Sequence, residues 1–385
     1  MLSHDHGFHS TRAEIDLGAL RNNLAAVRSC VGPSVGIMAV VKASAYGHGA
    51  VRIAEEAVSR GVRCLSVARF HEGVELREAG IAHPILILEA LQQEHIAVCL
   101  ANGFELTAVS RESAQQLSAA AGRAGRKAVV HAKVDTGMGR LGMSHLDAPA
   151  LLESIAMMPG LELKGVYSHF ATAEESDQSY AREQLARFLA VLEGLERKKI
   201  EIPLRHMANS AAIMSLPESH FDMVRPGLML YGYAPREDMV QKYPLLPVMA
   251  VKSRVSFLKT VEAGSAISYG RKHIARKRTV IATVPVGYAD GYFRSLTNRA
   301  NVLINGERHP VVGTICMDHI MVDVGLVSGV QEGDTVTLLG QDGAETISAW
   351  DLSREIGTIP YEVTCAVSPR VPRVYLPDAA SALGG

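Results

Sequence analysis

Between residues 35 and 231 the chain alternates short apolar runs with longer stretches in which apolar residues recur every three or four positions. The runs are 35–41, 64–68, 84–88, 96–100, 128–134, 163–167, 203–206 and 222–225. Several are rich in valine and isoleucine and lack polar alternation, the pattern of strands buried on both faces of a parallel sheet. The intervening stretches read as amphipathic helices. Ala50, Ile53, Ala54, Ala57 and Val58 share one face of 49–60, and Leu185, Phe188, Leu189 and Leu192 share one face of 180–198. Eight strand–helix units of this kind predict an α/β fold, a (β/α)8 barrel of the TIM type.

After residue 242 the texture changes. Pro244 and Pro247 break the chain, and alternating or β-branched runs follow at 251–258, 279–286, 301–304, 320–324 and 335–339. Asn305-Gly306 between 302–304 and 308–312 is a hairpin signal. One helix, capped by Ser348 and closed by Gly357, interrupts these runs. The reading is a barrel over 14–242 followed by a mainly β C-terminal domain over 243–385, with 379–385 as a loose tail of small residues.

Length and composition agree with two domains. A chain of 385 residues exceeds one ordinary core, and 48% hydrophobic with 21% charged residues is the balance of a soluble globular enzyme. Net charge is −1, from 39 Lys and Arg against 40 Asp and Glu, so no global field favours nucleic acid or an anionic membrane. Residues 1–10 are rich in histidine and have no apolar core, which is unlike a signal peptide. No apolar run approaches the roughly 18 residues needed to span a bilayer. Five scattered cysteines with no paired spacing read as reduced thiols in a cytoplasmic protein, and no zinc-type ligand spacing is present, so no metal is expected.

In a (β/α)8 barrel the chemistry sits at the C-terminal ends of the strands. Lys42 ends the first apolar run and precedes Gly47 and Gly49, which let backbone approach a ligand closely. Lys133 and Asp135 end another run, before the glycine-rich 136–139 and Arg140. His169, His206 with Asn209-Ser210, and Arg225 end three more. Each has a plain structural explanation taken alone. A lysine past a strand is usually solvated, a lone histidine is more often structural than catalytic, and 136–139 reads equally as a loop. No P-loop or dinucleotide fingerprint is present. What the plain explanations leave over is the coincidence of a lysine, anion-competent backbone and an arginine on one barrel face.

These segments resemble a known family. Ala39-Val40-Val41-Lys42-Ala43-Ser44-Ala45-Tyr46-Gly47-His48-Gly49 is similar to the cofactor-lysine signature of the alanine racemases, pyridoxal-phosphate enzymes of fold type III. Asp135-Thr136-Gly137-Met138-Gly139-Arg140, Ser168-His169-Phe170-Ala171, His206-Met207-Ala208-Asn209-Ser210 and Val224-Arg225-Pro226-Gly227 resemble further family blocks. So do Ile267-Ser268-Tyr269-Gly270, Gly287-Tyr288-Ala289-Asp290-Gly291, Cys316-Met317-Asp318 and Ile359-Pro360-Tyr361-Glu362. The blocks run in family order over nearly the whole chain.

The resemblance implies a racemase of a small amino acid, alanine first, with pyridoxal 5'-phosphate as cofactor. It implies a head-to-tail homodimer in which the β domain of one subunit completes the active site of the other. It also places the extreme N-terminal strand, residues 1–13 and around 11–16, with the β domain. Lys42 is implied as the covalent cofactor link and one catalytic base, and Tyr269 of the other subunit as the second base. His169 is implied beside that tyrosine, and Arg225 on the pyridine nitrogen. Tyr46, Ser210, Tyr361 and the backbone at Gly227 and Leu228 are implied to hold the phosphate, with Asn209 in the same cofactor group. Arg140 and Met317 are implied for the substrate carboxylate. Lys133 matches a position often carbamylated in the family, and Asp318 and Tyr288 line the entrance.

Two positions depart from the family pattern. Ser44 stands where Asp or Asn is usual and is expected to cap the following turn. Thr314 replaces an arginine common at the substrate entrance, which bears on access or substrate range. Three alternatives stay open on the sequence: a serine or broad-specificity racemase of the same fold, a decarboxylase of the same architecture, and a non-catalytic cofactor-binding protein. Arg225 argues against the second, because those enzymes use an acidic ring-nitrogen partner. Tyr269 and Asp318 argue against the third, which lacks the β domain.

Overall fold

A computed structural model describes residues 9–376. The expected tail at 379–385, and all but the last two residues of 1–10, lie outside the described residues. The chain divides into two compact units. One holds Arg21–Ala45 and Ala50–Leu246; the other holds residues up to Leu20, Tyr46–Gly49, and the chain from Pro247 onward.

The first strand, β1 (Arg12–Asp16), belongs to the second unit. The first unit is built on β2 (Gly36–Val40), β3 (Cys64–Val67), β4 (Ile85–Ile87), β5 (Glu105–Ala108), β6 (Ala128–Asp135), the short β7 (Met143–Ser144), β8 (Leu161–Tyr167), β9 (Leu204–His206) and β10 (Met223–Val224). The order is β10-β2-β3-β4-β5-β6-β8-β9, parallel throughout, with β7 added beside β6. At the remaining seam the amide of Asp222 donates to the Arg205 carbonyl at 3.1 Å, so the eight strands form a nearly closed TIM-type barrel. Every residue of β3, β4 and β5 is buried, as strands covered on both faces require. Helices cover the outside, and one expected stripe is corrected: Leu189, placed on the apolar face of 180–198, is 41% exposed, and Val191 and Leu195 are buried there instead. Ala50–Ser59 buries Ala50, Ile53, Ala54 and Ala57, and Ser179–Arg197 buries Leu185, Phe188, Val191 and Leu195.

One strand assignment is corrected. The apolar run 96–100 lies in a helix, Gln93–Ala101, and the strand beside it is β5, Glu105–Ala108. A buried helix stripe and a buried strand look alike over five apolar residues. The real strand was hidden because Glu105 and Thr107 share its inward face and are polar, whereas Leu106 and Ala108 face the other way.

The second unit is mainly β. Its largest sheet contains β1, β11 (Met249–Arg254) and five later strands, introduced here in chain order with their neighbours. These are β12 (Phe257–Val261), β13 (Ala266–Ile267), β14 (His273–Ile274), β15 (Thr279–Val284), β16 (Asn301–Ile304), β17 (Glu307–Pro310), β18 (Ile320–Asp323), β19 (Thr335–Asp342), β20 (Glu345–Ile347) and β21 (Arg373–Leu376). The large sheet runs β17-β16-β19-β11-β1-β21, with β20 on β19; β12-β15-β18 and β13-β14 form smaller sheets. β1 pairs antiparallel with β11 and parallel with β21. Asn305 and Gly306, both at positive φ, turn the β16–β17 hairpin. Ser348 accepts from the Asp351 amide and caps helix Ala349–Ile356, which ends at left-handed Gly357. A second helix, Pro360–Ala366, follows where the sequence reading had only one. Pro360 opens it, a position where proline's missing N–H costs nothing.

Candidate active site

β2 delivers Lys42 to the end of the barrel. The next four residues, Ala43, Ser44, Ala45 and Tyr46, all adopt left-handed backbone with φ between 51° and 54°. Such residues cost about 1–2 kcal/mol each, and strain of this kind collects at functional sites. Two bonds in the first unit hold the turn: Ala45 N–H donates to the Val41 carbonyl at 2.9 Å, and Ala43 N–H to Glu72 Oε1 at 2.6 Å. Ser44, expected to cap the following turn, lies in the left-handed region, where Asn and Asp are better tolerated than most non-glycine residues.

Arg225, one residue past β10, is buried at 5% exposure. Its Nη1 donates to His206 Nδ1 at 2.9 Å. Its Nη2 donates to the carbonyls of Ser168 and Met207 at 2.7 and 3.0 Å, and to His169 Nδ1 at 3.2 Å. Nε has no acceptor among the described residues, which leaves one aimed donor on a buried cation. Burial pushes the guanidinium down to about 10, still protonated at neutral pH. Arginine has donors only, so His169 Nδ1 must accept and the ring carries its proton on Nε2. Burial first, then the charges of Arg225, Lys133, Arg140 and Lys42, holds His169 well below the ordinary histidine range. Several basic groups thus bear on one imidazole and keep it neutral.

Tyr167, which the sequence reading did not single out, is the floor of this cluster. Its ring stacks on His206 at 4.8 Å, with Lys133 Nζ 4.7 Å and the Arg225 guanidinium carbon 5.3 Å from its centre. The Thr107 hydroxyl donates to the Ile87 carbonyl at 2.7 Å, so Tyr167 must donate its own proton to Thr107, 2.9 Å away. Lys133 is buried, and its amine is lowered to about 7 by that burial, then by Arg225 and Arg140. Asp135 accepts from the amides of Gly137, Met138 and Gly139 at 2.9, 2.8 and 3.0 Å, and so folds the loop that presents Arg140. Tyr180 and Arg187 pin the same loop through the carbonyls of Gly137 and Thr136.

Ser210 Oγ gathers the amides of Gly227 and Met229 at 3.0 and 3.2 Å, and Asn209 caps the helix that starts there by accepting from Ala212 N. Leu228 lies between the two gathered amides. Both amides are thus engaged by the Ser210 hydroxyl, which ties the backbone after β10 to the start of this helix.

In the second unit Tyr46 meets Tyr361 edge to face, 6.4 Å between ring centres. Gly47 and Gly49 were expected to admit a ligand. Instead a Cβ on Gly47 would lie 2.1 Å from the Thr364 carbonyl, and one on Gly49 1.9 Å from the Tyr375 hydroxyl. Their small size is explained by packing against protein. Tyr269 is 72% exposed and Met317 52%, and Tyr288, also exposed, donates its amide to Cys316 O. Asp318 accepts from Arg370 at 2.8 Å. Among the described residues no helix is long and apolar enough to cross a membrane.

A (β/α)8 barrel with a lysine and a buried arginine at the ends of its strands, followed by a mainly β unit with exposed aromatics, defines a class of two-domain barrel proteins. Residues 15–235 match the family model described as alanine racemase, N-terminal domain, and residues 248–375 that described as alanine racemase, C-terminal domain. The chain belongs to the alanine racemase family. It is 46% identical to the alanine racemase of Geobacter sulfurreducens over 370 residues, covering 95% of this chain and 97% of that protein. Among solved structures it resembles the alanine racemase of Clostridium difficile 630, at 39% identity, TM-score 0.92 and 96% coverage of each chain. It also resembles that of Bartonella henselae, which carries covalently bound pyridoxal phosphate, at 30% identity, TM-score 0.85 and 95% and 99% coverage.

Proposed function

We propose that the protein is a pyridoxal 5'-phosphate-dependent racemase that interconverts L-alanine and D-alanine with two bases. The observation that carries this reading is Arg225, a buried cation whose Nη1 and Nη2 are held by protein acceptors while Nε is left to a ligand. The residues fit the cofactor. Lys42 supplies the amine for covalent attachment. Ser210, with the backbone at Gly227 and Leu228, and Tyr46 and Tyr361, supply the phosphate contacts, with Asn209 shaping the helix start. When bound, the cofactor draws electrons from the α-carbon and so eases loss of its proton.

Arg225 would be the partner of the ring nitrogen and, staying protonated, would leave that nitrogen without a proton. An arginine in that place would make the cofactor a weaker electron sink, which favours racemisation over transamination. Lys42 takes or returns the proton on one face of the α-carbon. Tyr269 of the partner subunit does so on the other. A phenol has an ordinary pKa of about 10 and needs help to ionise. His169, with its proton on Nε2, is arranged to donate to the phenolate. Arg140 binds the phenolic oxygen and the substrate carboxylate, Met317 adds a backbone contact, and Tyr288 and Asp318 line the entrance. A carbamate on Lys133 would orient Arg140, and a lysine lowered to about 7 has the neutral amine that carbamate formation needs.

The reading includes a homodimer with shared active sites and a cytoplasmic location, with D-alanine available to cell-wall precursors. Tyr269 and Met317 are exposed and so open to a partner subunit, which supports the dimer. The test is an absorbance scan of the purified protein and a chiral assay over a panel of L-amino acids. A yellow protein with alanine as best substrate is expected, and Lys42→Ala should lose the colour. A colourless wild-type protein, or one that prefers serine, overturns the reading.

A further inference from the structure

A row of polar side chains runs from Arg225 down through the barrel interior, where branched apolar residues are usual. Arg225 Nη1 donates to His206 Nδ1 at 2.9 Å. His206 Nε2 lies 2.9 Å from His131 Nδ1, and His131 Nε2 lies 2.8 Å from Glu105 Oε2. The other carboxylate oxygen, Oε1, accepts from Lys164 Nζ. Both histidines are fully buried and Glu105 nearly so. The row crosses β10, β9, β6 and β5 and ends at Lys164 on β8, the only partly exposed member.

Donor counting leaves one arrangement. A guanidinium has no acceptor, so His206 Nδ1 is bare. Burial keeps both rings below the ordinary histidine range and therefore neutral, reinforced at His206 by Arg225 and acting at His131 against the raising effect of Glu105. The proton of His206 is then on Nε2 and is donated to His131 Nδ1. The proton of His131 is on Nε2 and is donated to Glu105. Glu105 is held low, against the opposing effect of its burial, by bonds from His131 and Lys164, and is the anion at the end of the row. Every bond points the same way, from the arginine to the carboxylate. A protonated His206 would set N–H against N–H.

We infer that Glu105, His131 and His206 are positioning residues for Arg225: the Glu105 carboxylate polarises two neutral imidazoles in series, so that His206 offers the guanidinium a strong acceptor of fixed direction. The inference rests on the reading of Arg225 as partner of the cofactor ring nitrogen, and extends that site three side chains into the barrel. Among the described residues His206 is the sole acceptor for Nη1; the other three contacts share Nη2. Loss of that one bond leaves the guanidinium held through Nη2 alone, about which it can pivot, and so misaligns Nε. Chains of hydrogen bonds in a low-dielectric interior strengthen one another, so a change at Glu105 is felt at Arg225.

Two measurements test this. Nitrogen-15 NMR of histidine-labelled protein, with and without cofactor, should show His131 and His206 neutral with bare Nδ1 and protonated Nε2. An Nδ1–H tautomer or an imidazolium in either at neutral pH overturns the relay, whatever the activity. In the holoenzyme, Glu105→Gln should lower kcat about tenfold with KM for L-alanine nearly unchanged. It should also speed the slow loss of cofactor absorbance by half-transamination, a partition that mere loosening of the fold would not shift. The apolar pair Glu105→Leu with His131→Leu, which avoids a stranded buried charge, should show the same two changes. Wild-type kcat and partition in a folded variant overturn the proposal. A colourless wild-type protein overturns the functional reading instead, and the NMR result still decides the relay.

Discussion

The hydroxyl of Thr314 donates to the backbone carbonyl of Tyr269 at 2.7 Å. In return the Ser268 hydroxyl donates to the carbonyl of Thr314 at 2.6 Å, so two hydroxyls cross-brace the two segments. The braced backbone is strained: Ser268 and Arg271 have φ of 64° and 51°. Thr314 was expected to bear on substrate access; the structure adds that its hydroxyl holds the backbone of Tyr269.

Replacing Thr314 with valine keeps the shape and removes the bond, worth about 1 kcal/mol. We expect kcat to fall several-fold with the cofactor band retained, and Thr314→Ser to restore it. Steady-state kinetics in both directions, with deuterium uptake from solvent, check this. Unchanged rates for the valine variant would show that the brace is dispensable.

Asp135 binds three loop amides and holds the approach to Arg140. Its carboxyl is kept below the ordinary range by those amides, against the effect of burial, so it is ionised at neutral pH. Asp135→Ala should raise KM for alanine about tenfold and lower kcat less, because the loop carries a binding group. An unaltered KM, measured by initial rates, contradicts this.

Carbamate formation on Lys133 requires the neutral amine. With the amine lowered to about 7, the neutral fraction rises with pH through that value. Carbon-13 NMR at constant dissolved CO2 should show a carbamate signal that grows between about pH 6 and pH 8 and is missing in Lys133→Met. No signal at any pH removes the carbamate from the reading.

Acid should weaken the fold through His131, His169 and His206. Their folded values lie below the ordinary 6.5, so beneath pH 6.5 the unfolded chain binds more protons than the folded one. Stability is then lost as pH falls from 6.5 towards the folded values, and none of the three contributes a slope above that window. Urea midpoints should drop between pH 6.5 and pH 5.5, less steeply in His206→Asn. A flat profile would falsify neutral burial of these rings.

Most of the barrel was legible because its strands are apolar on both faces and its helices carry one stripe. The mouth was legible as residue types at strand ends: Lys42, Arg140, His169, Ser210 and Arg225. The interior row was not. Glu105 and Thr107 broke the apolar pattern of β5 so well that the strand was assigned to the helix before it. His131, in the middle of an otherwise apolar run, was the one signal that could have exposed the row, since a histidine there must find a buried partner.

Local chemistry is written in local sequence, and so the chain alone determined its alternation of strands and helices, its hairpin at Asn305-Gly306, its helix cap at Ser348 and the set of reactive side chains. Which side chains meet is a matter of closure. Glu105, His131, His206 and Arg225 are spread over four strands and about 120 residues, and only the rolling of a parallel sheet into a barrel turns their inward faces to one another. The direction of every proton in that row follows from the arginine at its end, because a guanidinium can only donate. No spacing along the chain contains that constraint; it arises when the strands are side by side.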